Sequence, residues 1–266
     1  MPLASGRTGE VLRIDAGGEA LVAKLDGTGE GGLEVEGEML RYVAGRSSAP
    51  VPRVLHACPH LLLMEWCAGR TGVRDDAAES AAEGLAALHG VGGAAYGFPG
   101  PTRIGGLVQE NPERSSWLEF FAETRLVDPA RSARDEGRLD GRTLALVERV
   151  AARVSDLAGE PAGPVLLHGD LWSGNVLSEG ASLTAFLDPA LYHGHAEVDL
   201  AFATMFGGFP QRFFDAYGER VGGGVLDAGF WSTRRDLWNL YPLLVHVRLF
   251  GGAYVDELRR SAQRLA

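Results

Sequence analysis

The chain has 266 residues and 45% hydrophobic content, enough to bury a substantial core as one large domain or as two lobes sharing a cleft. Its formal net charge of −10 repels a phosphate backbone, which argues against general nucleic-acid binding and requires any anionic ligand to be held by local features. Cys58 and Cys67 are too few and too close for a disulfide framework or a zinc site, no apolar run reaches the roughly 18 to 20 residues of a membrane span, and Met1 to Glu10 lacks the order of a secretory signal, so a cytoplasmic protein without a membrane partner is expected.

Val11 to Ile14 and Ala20 to Leu25 are predicted strands, with Asp15 to Glu19 turning between them. Lys24, on the second strand, is the single lysine among 25 basic residues, the other 24 being arginine. A lysine kept in so arginine-biased a chain suits a task for a compact ammonium on a flexible stem. Leu33 to Ala44 carries Leu33, Leu40 and Val43 at helical spacing, with Glu34, Glu36 and Glu38 interleaved. Val54 to His56 and Leu61 to Trp66 read as further strands, the second a continuous apolar run suited to a buried position.

The polar, glycine-containing run Gly69 to Asp76 is the expected junction, dividing a small β-rich lobe over residues 1–68 from a larger, mainly helical lobe over 69–266. Helices are expected at Ala77 to His89, Ser116 to Arg125, Arg142 to Leu157, Leu237 to Phe250 and Tyr254 to Leu265. Only Val165 to Leu167 and Thr184 to Leu187 look like strands in this second part. Strands first and helices after describe an α+β architecture or two separate domains.

The chemistry concentrates in His168-Gly169-Asp170-Leu171-Trp172-Ser173-Gly174-Asn175, set between two short apolar strands, and in Phe186-Leu187-Asp188-Pro189, where the second strand stops at an acid. In kinase-type phosphoryl transfer a loop aspartate accepts the proton of the attacking hydroxyl, and an asparagine five residues on helps hold a metal ion. Asp170 and Asn175 have that spacing. Magnesium needs only one or two hard-oxygen protein ligands besides phosphates and water, so Asn175 with Asp188 suffices. Asp170 is then the catalytic base, and ATP and magnesium are the expected cofactors.

Lys24 gains a role in the same chemistry, because a strand lysine can reach the non-transferred phosphates while a glutamate of the next helix holds its ammonium. Glu36, between Leu33 and Leu40, is the preferred partner, with Glu34 and Glu38 as alternatives. Gly6 and Gly9 in Ser5-Gly6-Arg7-Thr8-Gly9 are either a phosphate-covering loop or a frayed terminus. Adenine is expected along the junction strand, against backbone groups from Glu65 to Cys67.

These residues resemble the fructosamine kinases, or ketosamine 3-kinases, within the wider aminoglycoside-phosphotransferase and protein-kinase-like group. The resemblance rests on His168 to Asn175 with its Trp-Ser-Gly centre, Asp188-Pro189-Ala190-Leu191-Tyr192-His193-Gly194-His195, Glu197-Val198-Asp199-Leu200-Ala201 and Phe206-Gly207-Gly208-Phe209-Pro210. Tyr96-Gly97-Phe98, Ile104-Gly105-Gly106, Gln109, Asn111, Trp117, Phe120, Phe121 and Arg125-Leu126 extend it. The short amino terminus and its thin glycine cluster depart from the pattern.

The resemblance implies a bilobal protein-kinase-like fold and transfer of the ATP γ-phosphate to a sugar hydroxyl of a ketosamine, with repair of glycated proteins as the biological sense. Trp172 is then either a wall against the sugar or core packing, and His195, Glu197 and Asp199 either bind the acceptor or brace the loop. Competing readings are an aminoglycoside or choline phosphotransferase of the same fold and a non-catalytic nucleotide-binding scaffold. Oligomeric state is not legible.

Overall fold

The computed structural model describes residues 2–6, 9–27, 29, 31–222 and 226–266. The amino-terminal part is a five-stranded antiparallel sheet in the order β1-β2-β3-β5-β4, formed by β1 (Pro2–Gly6), β2 (Gly9–Ala16), β3 (Glu19–Leu25), β4 (Val54–Cys58) and β5 (Leu61–Glu65). Gly17 and Gly18 join β2 to β3 with φ of 62° and 89°, the left-handed pair that a two-residue hairpin turn requires. Helix α1 (Leu33–Ala44) spans the predicted residues and lies on this sheet.

Alternation along β5 turns Leu62 and Met64 inward, where they meet Val22 of β3 and Leu40 of α1 in a small separate core. Each such side chain contributes on the order of 2 kcal/mol by leaving water. The register places Lys24 opposite Leu62 and Leu21 opposite Glu65. The lysine and the end of β5 are therefore three residues apart along the sheet, roughly 10 Å.

The expected junction contains a short strand, β6 (Arg70–Thr71), that pairs with a strand of the later chain, β10 (Val176–Glu179), itself paired with β11 (Ser182–Phe186). Helix α2 (Ala78–His89) follows, then a hairpin of β7 (Thr102–Ile104) and β8 (Leu107–Gln109). The chain from α3 (Trp117–Phe120) runs through a π-helical stretch, Phe121–Val127, into α4 (Asp128–Asp135). Ser116 caps its start by accepting from the Glu119 N–H. Helices α5 (Gly141–Ala151) and α6 (Val154–Leu157) divide the single helix expected from Arg142 to Leu157.

Strand β9 (Val165–Leu167) leads into the His168–Asn175 loop and pairs with β12 (Tyr192–Gly194). Helices α7 (Glu197–Ala203), α8 (Gln211–Val221), α9 (Arg235–Trp238), α10 (Leu240–Phe250) and α11 (Ala253–Leu265) complete the chain. Beyond residue 69 the sequence suggests two strands, and the structure adds β6, β7, β8, β10 and β12. All five are two to four residues long, too short for side-chain alternation to register. The main core unites Trp117, Phe120, Phe121, Tyr192 and Trp238 with α2, α5, α7 and α10.

Candidate active site

β9 ends at Leu167 and the chain turns at once. Gly169 has φ 80°, and a Cβ there would lie 2.0 Å from the Ala190 carbonyl oxygen, so the turn tolerates only glycine. Beneath it the wholly buried Asp199 carboxylate accepts from the backbone N–H groups of His168 at 2.7 Å and Gly169 at 2.9 Å. His168, also buried, donates from Nε2 to the Leu187 carbonyl at 2.9 Å while Nδ1 accepts the Asp170 N–H at 3.3 Å. Burial holds this imidazole below its usual pKa, in keeping with the neutral tautomer these bonds need.

Asp170 is thereby fixed at the loop's outer edge. Asn175 Nδ2 donates at 2.9 Å both to the Asp170 backbone oxygen and to its carboxylate Oδ2. With both amide hydrogens engaged, the Asn175 side-chain oxygen Oδ1 is the atom that remains for a cation. Asp188 stands across from it with φ 51°, the only positive φ outside glycine among the described residues. A left-handed conformation costs a non-glycine residue roughly 1–2 kcal/mol. Flanking bonds hold it: the Leu187 N–H donates to the Asn175 backbone carbonyl at 2.8 Å and the Ala190 N–H to the His168 backbone carbonyl at 2.7 Å.

Lys24 crosses from the sheet to close the group. Its ammonium donates to Glu36 Oε1 at 2.6 Å and to the Asp188 carboxylate. Lys24, Glu36, Asp170 and Asp188 all line one cleft of about 830 Å³, together with Gly9 to Val11 of the first hairpin. Burial alone would depress the Lys24 ammonium, but the charges of Asp188 and Glu36 outweigh it and raise its pKa above the usual value. Burial raises Glu36, whereas at Asp188 burial is outweighed by the Lys24 charge and hydrogen bond together with smaller contributions from His168 and Glu36, which hold the carboxyl below its usual range. Asp170 is pushed up to about 7, by burial first and by the Asp188 charge second. Two carboxyls are thus driven apart, one staying ionised beside the lysine and one poised near neutrality.

The donor set fits a magnesium ion. Asp188 lines the cleft and offers one hard oxygen; Asn175, bonded to Asp170, offers a second in its side-chain Oδ1. Among the described residues no group of three His, Cys, Asp or Glu side chains is arranged to hold a softer metal. Of the junction residues, Glu65 turns its carboxylate to the Arg53 N–H at 3.0 Å, and the Glu65 and Trp66 N–H groups are taken by the Arg53 and Ala20 carbonyls. The Cys67 N–H has no partner among the described residues. Neither Glu65 nor Cys67 lines the cleft around Lys24, and burial raises the Cys67 thiol to about 11. Arg7 and Thr8, at the tip of the expected phosphate loop, lie outside the described residues.

The suggested acceptor residues separate. Trp172 is 38% exposed, its ring laid over Gly174 and 6.1 Å from that of Phe206, so it is not core packing. His195 is not brought to the cleft. It packs against Trp117 and Trp238 beside a different depression shared with Glu160 and Arg234, and burial lowers its pKa to about 4. Glu197 is held by Arg234 at 2.7 Å and by Trp238 Nε1 at 2.8 Å. Asp199, buried under the loop and also bonded to His89 Nε2 at 3.1 Å, braces rather than binds, since burial closes it to any acceptor. The sequence does not single out Arg103, Glu136, Arg138 and Arg248, which form the cleft's outer wall, Arg248 paired to Glu136 at 2.6 Å. They come from three distant segments with no shared spacing.

A sheet-borne lysine above a helical part that carries Asp170, Asn175 and Asp188 defines the class of kinase-like phosphotransferases. The crystal structure of aminoglycoside phosphotransferase APH(4)-Ia in ternary complex with ADP and hygromycin B shares this fold, at TM-score 0.65 and 20% identity over 98% of this chain and 93% of that one. The fructosamine kinase family matches residues 3–266, and the chain belongs to that family and is a kinase. A protein named probable ketoamine kinase in Synechocystis sp. is 36% identical over 243 residues, covering 87% of this chain and 78% of its own. The crystal structure of a candidate fructosamine-3-kinase from Thermobifida fusca aligns at TM-score 0.89 and 36% identity, over 100% of this chain and 92% of that one.

Proposed function

We propose that the protein transfers the γ-phosphate of ATP to the 3-hydroxyl of a ketosamine, the rearranged adduct of a sugar and an amine, and so takes part in the repair of glycated proteins. Residues 1–68 serve as the nucleotide lobe and 69–266 as the lobe that carries the catalytic loop and acceptor site. The observation that carries the reading is the meeting of Lys24, Glu36, Asp170 and Asp188, from four separate segments, in one cleft. Family membership and the ketoamine kinase relatives support the acceptor class. The ADP-bound neighbour of the same fold supports the nucleotide.

In this reading Asp170 accepts the proton of the attacking sugar hydroxyl. A carboxyl near 7 is a competent acceptor at neutral pH, and its bond to Asn175 leaves Oδ1 free for the substrate. Glu36 holds the Lys24 ammonium while it exchanges Asp188 for the non-transferred phosphates. Asp188 and Asn175 would hold magnesium, which when bound would neutralise charge developing on the phosphate oxygens. The adenine edge pairs with the backbone near Glu65 and Cys67, where the Cys67 N–H has no partner among the described residues, and Trp172 offers an aromatic face to the sugar. No helix among the described residues is long and apolar enough to cross a membrane.

The test is ATP consumption against a panel of ketosamines, aminoglycosides and choline. Turnover confined to ketosamines is expected. Turnover confined to aminoglycosides or choline would reject the acceptor, and turnover on none of them would reject the reaction.

A further inference from the structure

Gln109 and Asn111, part of the stretch that first suggested the family, touch neither Asp170 nor the lysine cluster. Both are buried, at 2% and 4% exposed. Every polar atom of the Gln109 amide is engaged. Its Oε1 accepts from the Tyr241 hydroxyl at 2.6 Å, and its Nε2 donates to Thr102 Oγ1 at 2.8 Å and to the Ala190 carbonyl at 3.0 Å. Thr102 in turn donates to the Leu191 carbonyl at 3.1 Å, and the Leu191 N–H donates to Met39 Sδ at 3.4 Å. The β7–β8 hairpin therefore grips Ala190 and Leu191, which follow Asp188-Pro189 directly, and α1, the helix carrying Glu36, shares the hold on Leu191.

Arg125 anchors the far side of this network. It is 1% exposed, donates to Asn111 Oδ1 at 2.5 Å and to the Glu110 carbonyl at 2.8 Å, and lies over the rings of Tyr192 and Tyr241 at 4.1 and 4.9 Å. Asn111 passes the constraint on, donating to Thr102 Oγ1 at 2.9 Å. A buried amide whose acceptor and donors are all matched can sit in only one orientation. The Ala190 carbonyl, which can only accept, therefore sets which way Gln109 points its N–H groups, and the Tyr241 hydroxyl holds Oε1 on the other side.

We propose that Gln109 is a positioning residue for the metal-binding carboxylate of Asp188. By fixing the Ala190 carbonyl two residues downstream, it holds Asp188 in the left-handed backbone conformation that turns its carboxylate into the cleft. Strained backbone of this kind persists only where its surroundings over-determine it. On the upstream side the catalytic loop supplies the constraint, through Asn175 and His168. Downstream, the Gln109 amide holds the Ala190 carbonyl while the Ala190 N–H donates to the His168 carbonyl, so the two bonds together fix that residue. The inference rests on the reading of Asp188 as a magnesium ligand and adds a residue that acts through it, as partners behind metal ligands generally do.

The test measures ADP binding by calorimetry with and without magnesium, for the full-length wild type, Gln109→Met and Tyr241→Phe. Gln109→Met keeps the length of the side chain but cannot donate to Ala190. It should raise the magnesium concentration for half-maximal enhancement of binding by about 10-fold, with magnesium-free ADP affinity unchanged. Tyr241→Phe retains the buried packing but leaves Gln109 Oε1 without its donor, which loosens the amide, so it should move the same quantity in the same direction by less, and it carries the test if Gln109→Met does not fold. Equal loss of magnesium-free and magnesium-dependent affinity, or no change in either variant, would overturn the proposal. A wild type whose ADP affinity ignores magnesium would refute the metal reading itself, and the positioning role with it.

Discussion

Replacing Asp170 by asparagine should destroy activity and stabilise the protein. The carboxyl is raised from the usual 3.8 to about 7 in the folded chain, by burial and then by the Asp188 charge. Below 3.8 both folded and unfolded states carry the proton. Between 3.8 and about 7 only the folded state keeps it, so stability falls as pH rises through that window and stays at the lower level above it. A difference of about three pH units corresponds to about 4 kcal/mol as a ceiling, and solvent relaxation around a partly exposed loop reduces it to roughly 2–3 kcal/mol. The substituted carboxamide bears no charge at any pH and still accepts the bond that Asn175 donates to the Asp170 side chain. The nucleotide-free variant should therefore melt about 5–10 °C above wild type at pH 8, with the gap closing near pH 4. Turnover at pH 8 should fall by roughly 10²-fold or more, as loss of a positioned base implies. Thermal unfolding of both proteins across pH decides the matter. A variant that melts at or below wild type at pH 8, or a gap independent of pH, would refute the claim that Asp170 is a carboxylate held against its environment.

Lys24→Arg should behave almost as badly as Lys24→Met, each losing about 10²-fold in kcat/KM for ATP, because a planar fork cannot direct donors from one point to both phosphates and Glu36. Full activity of the arginine variant would show that charge alone suffices. Asp188→Ala should abolish the enhancement of nucleotide binding by magnesium in calorimetry, and unchanged magnesium linkage would place the metal elsewhere. The acid limb of kcat/KM for ATP should fall near pH 7, where Asp170 in the free enzyme takes up its proton. The limb of kcat should lie lower, since a cation at Asp188 removes the repulsion, and a profile flat down to pH 5 would contradict the assignment of the base.

Much of the site is legible because it is local. A short apolar strand, a glycine turn, and an acid and an amide at fixed spacing are properties of one segment, and the structure places Asp170 and Asn175 in direct contact as that spacing suggests. Lys24 and Glu36 are distant in sequence from that loop, yet a strand followed by an amphipathic helix leaves few ways to pack, and Glu36 emerges as the partner over Glu34 and Glu38. The brief strands are not legible. β7 and β8 owe their pairing to the Gly105-Gly106 turn and to buried bonds from Thr102 and Gln109, none of which shows in a pattern of hydrophobicity. Nearness in sequence misleads at His195, which follows β12 but turns toward Trp117 and Trp238, away from the catalytic loop. Asp199 draws attention for its charge, whereas its place under two backbone N–H groups depends on how α7 meets the loop. The single continuous helix from Trp117 to Asp135 is visible in the sequence only in its first half, since its π-helical stretch interrupts the regular spacing.

Whether this cleft moves a phosphate from ATP to a ketosamine sugar with Asp170 as base is tested most directly by incubating the protein with magnesium, ATP and a peptide bearing a sugar-derived ketosamine, then locating phosphorus in the product by NMR. One phosphate is expected, on the sugar 3-hydroxyl, formed in step with ADP by the wild type and not by Asp170→Asn. Phosphate on the peptide rather than the sugar, or equal product from the Asp170→Asn protein, would contradict that assignment.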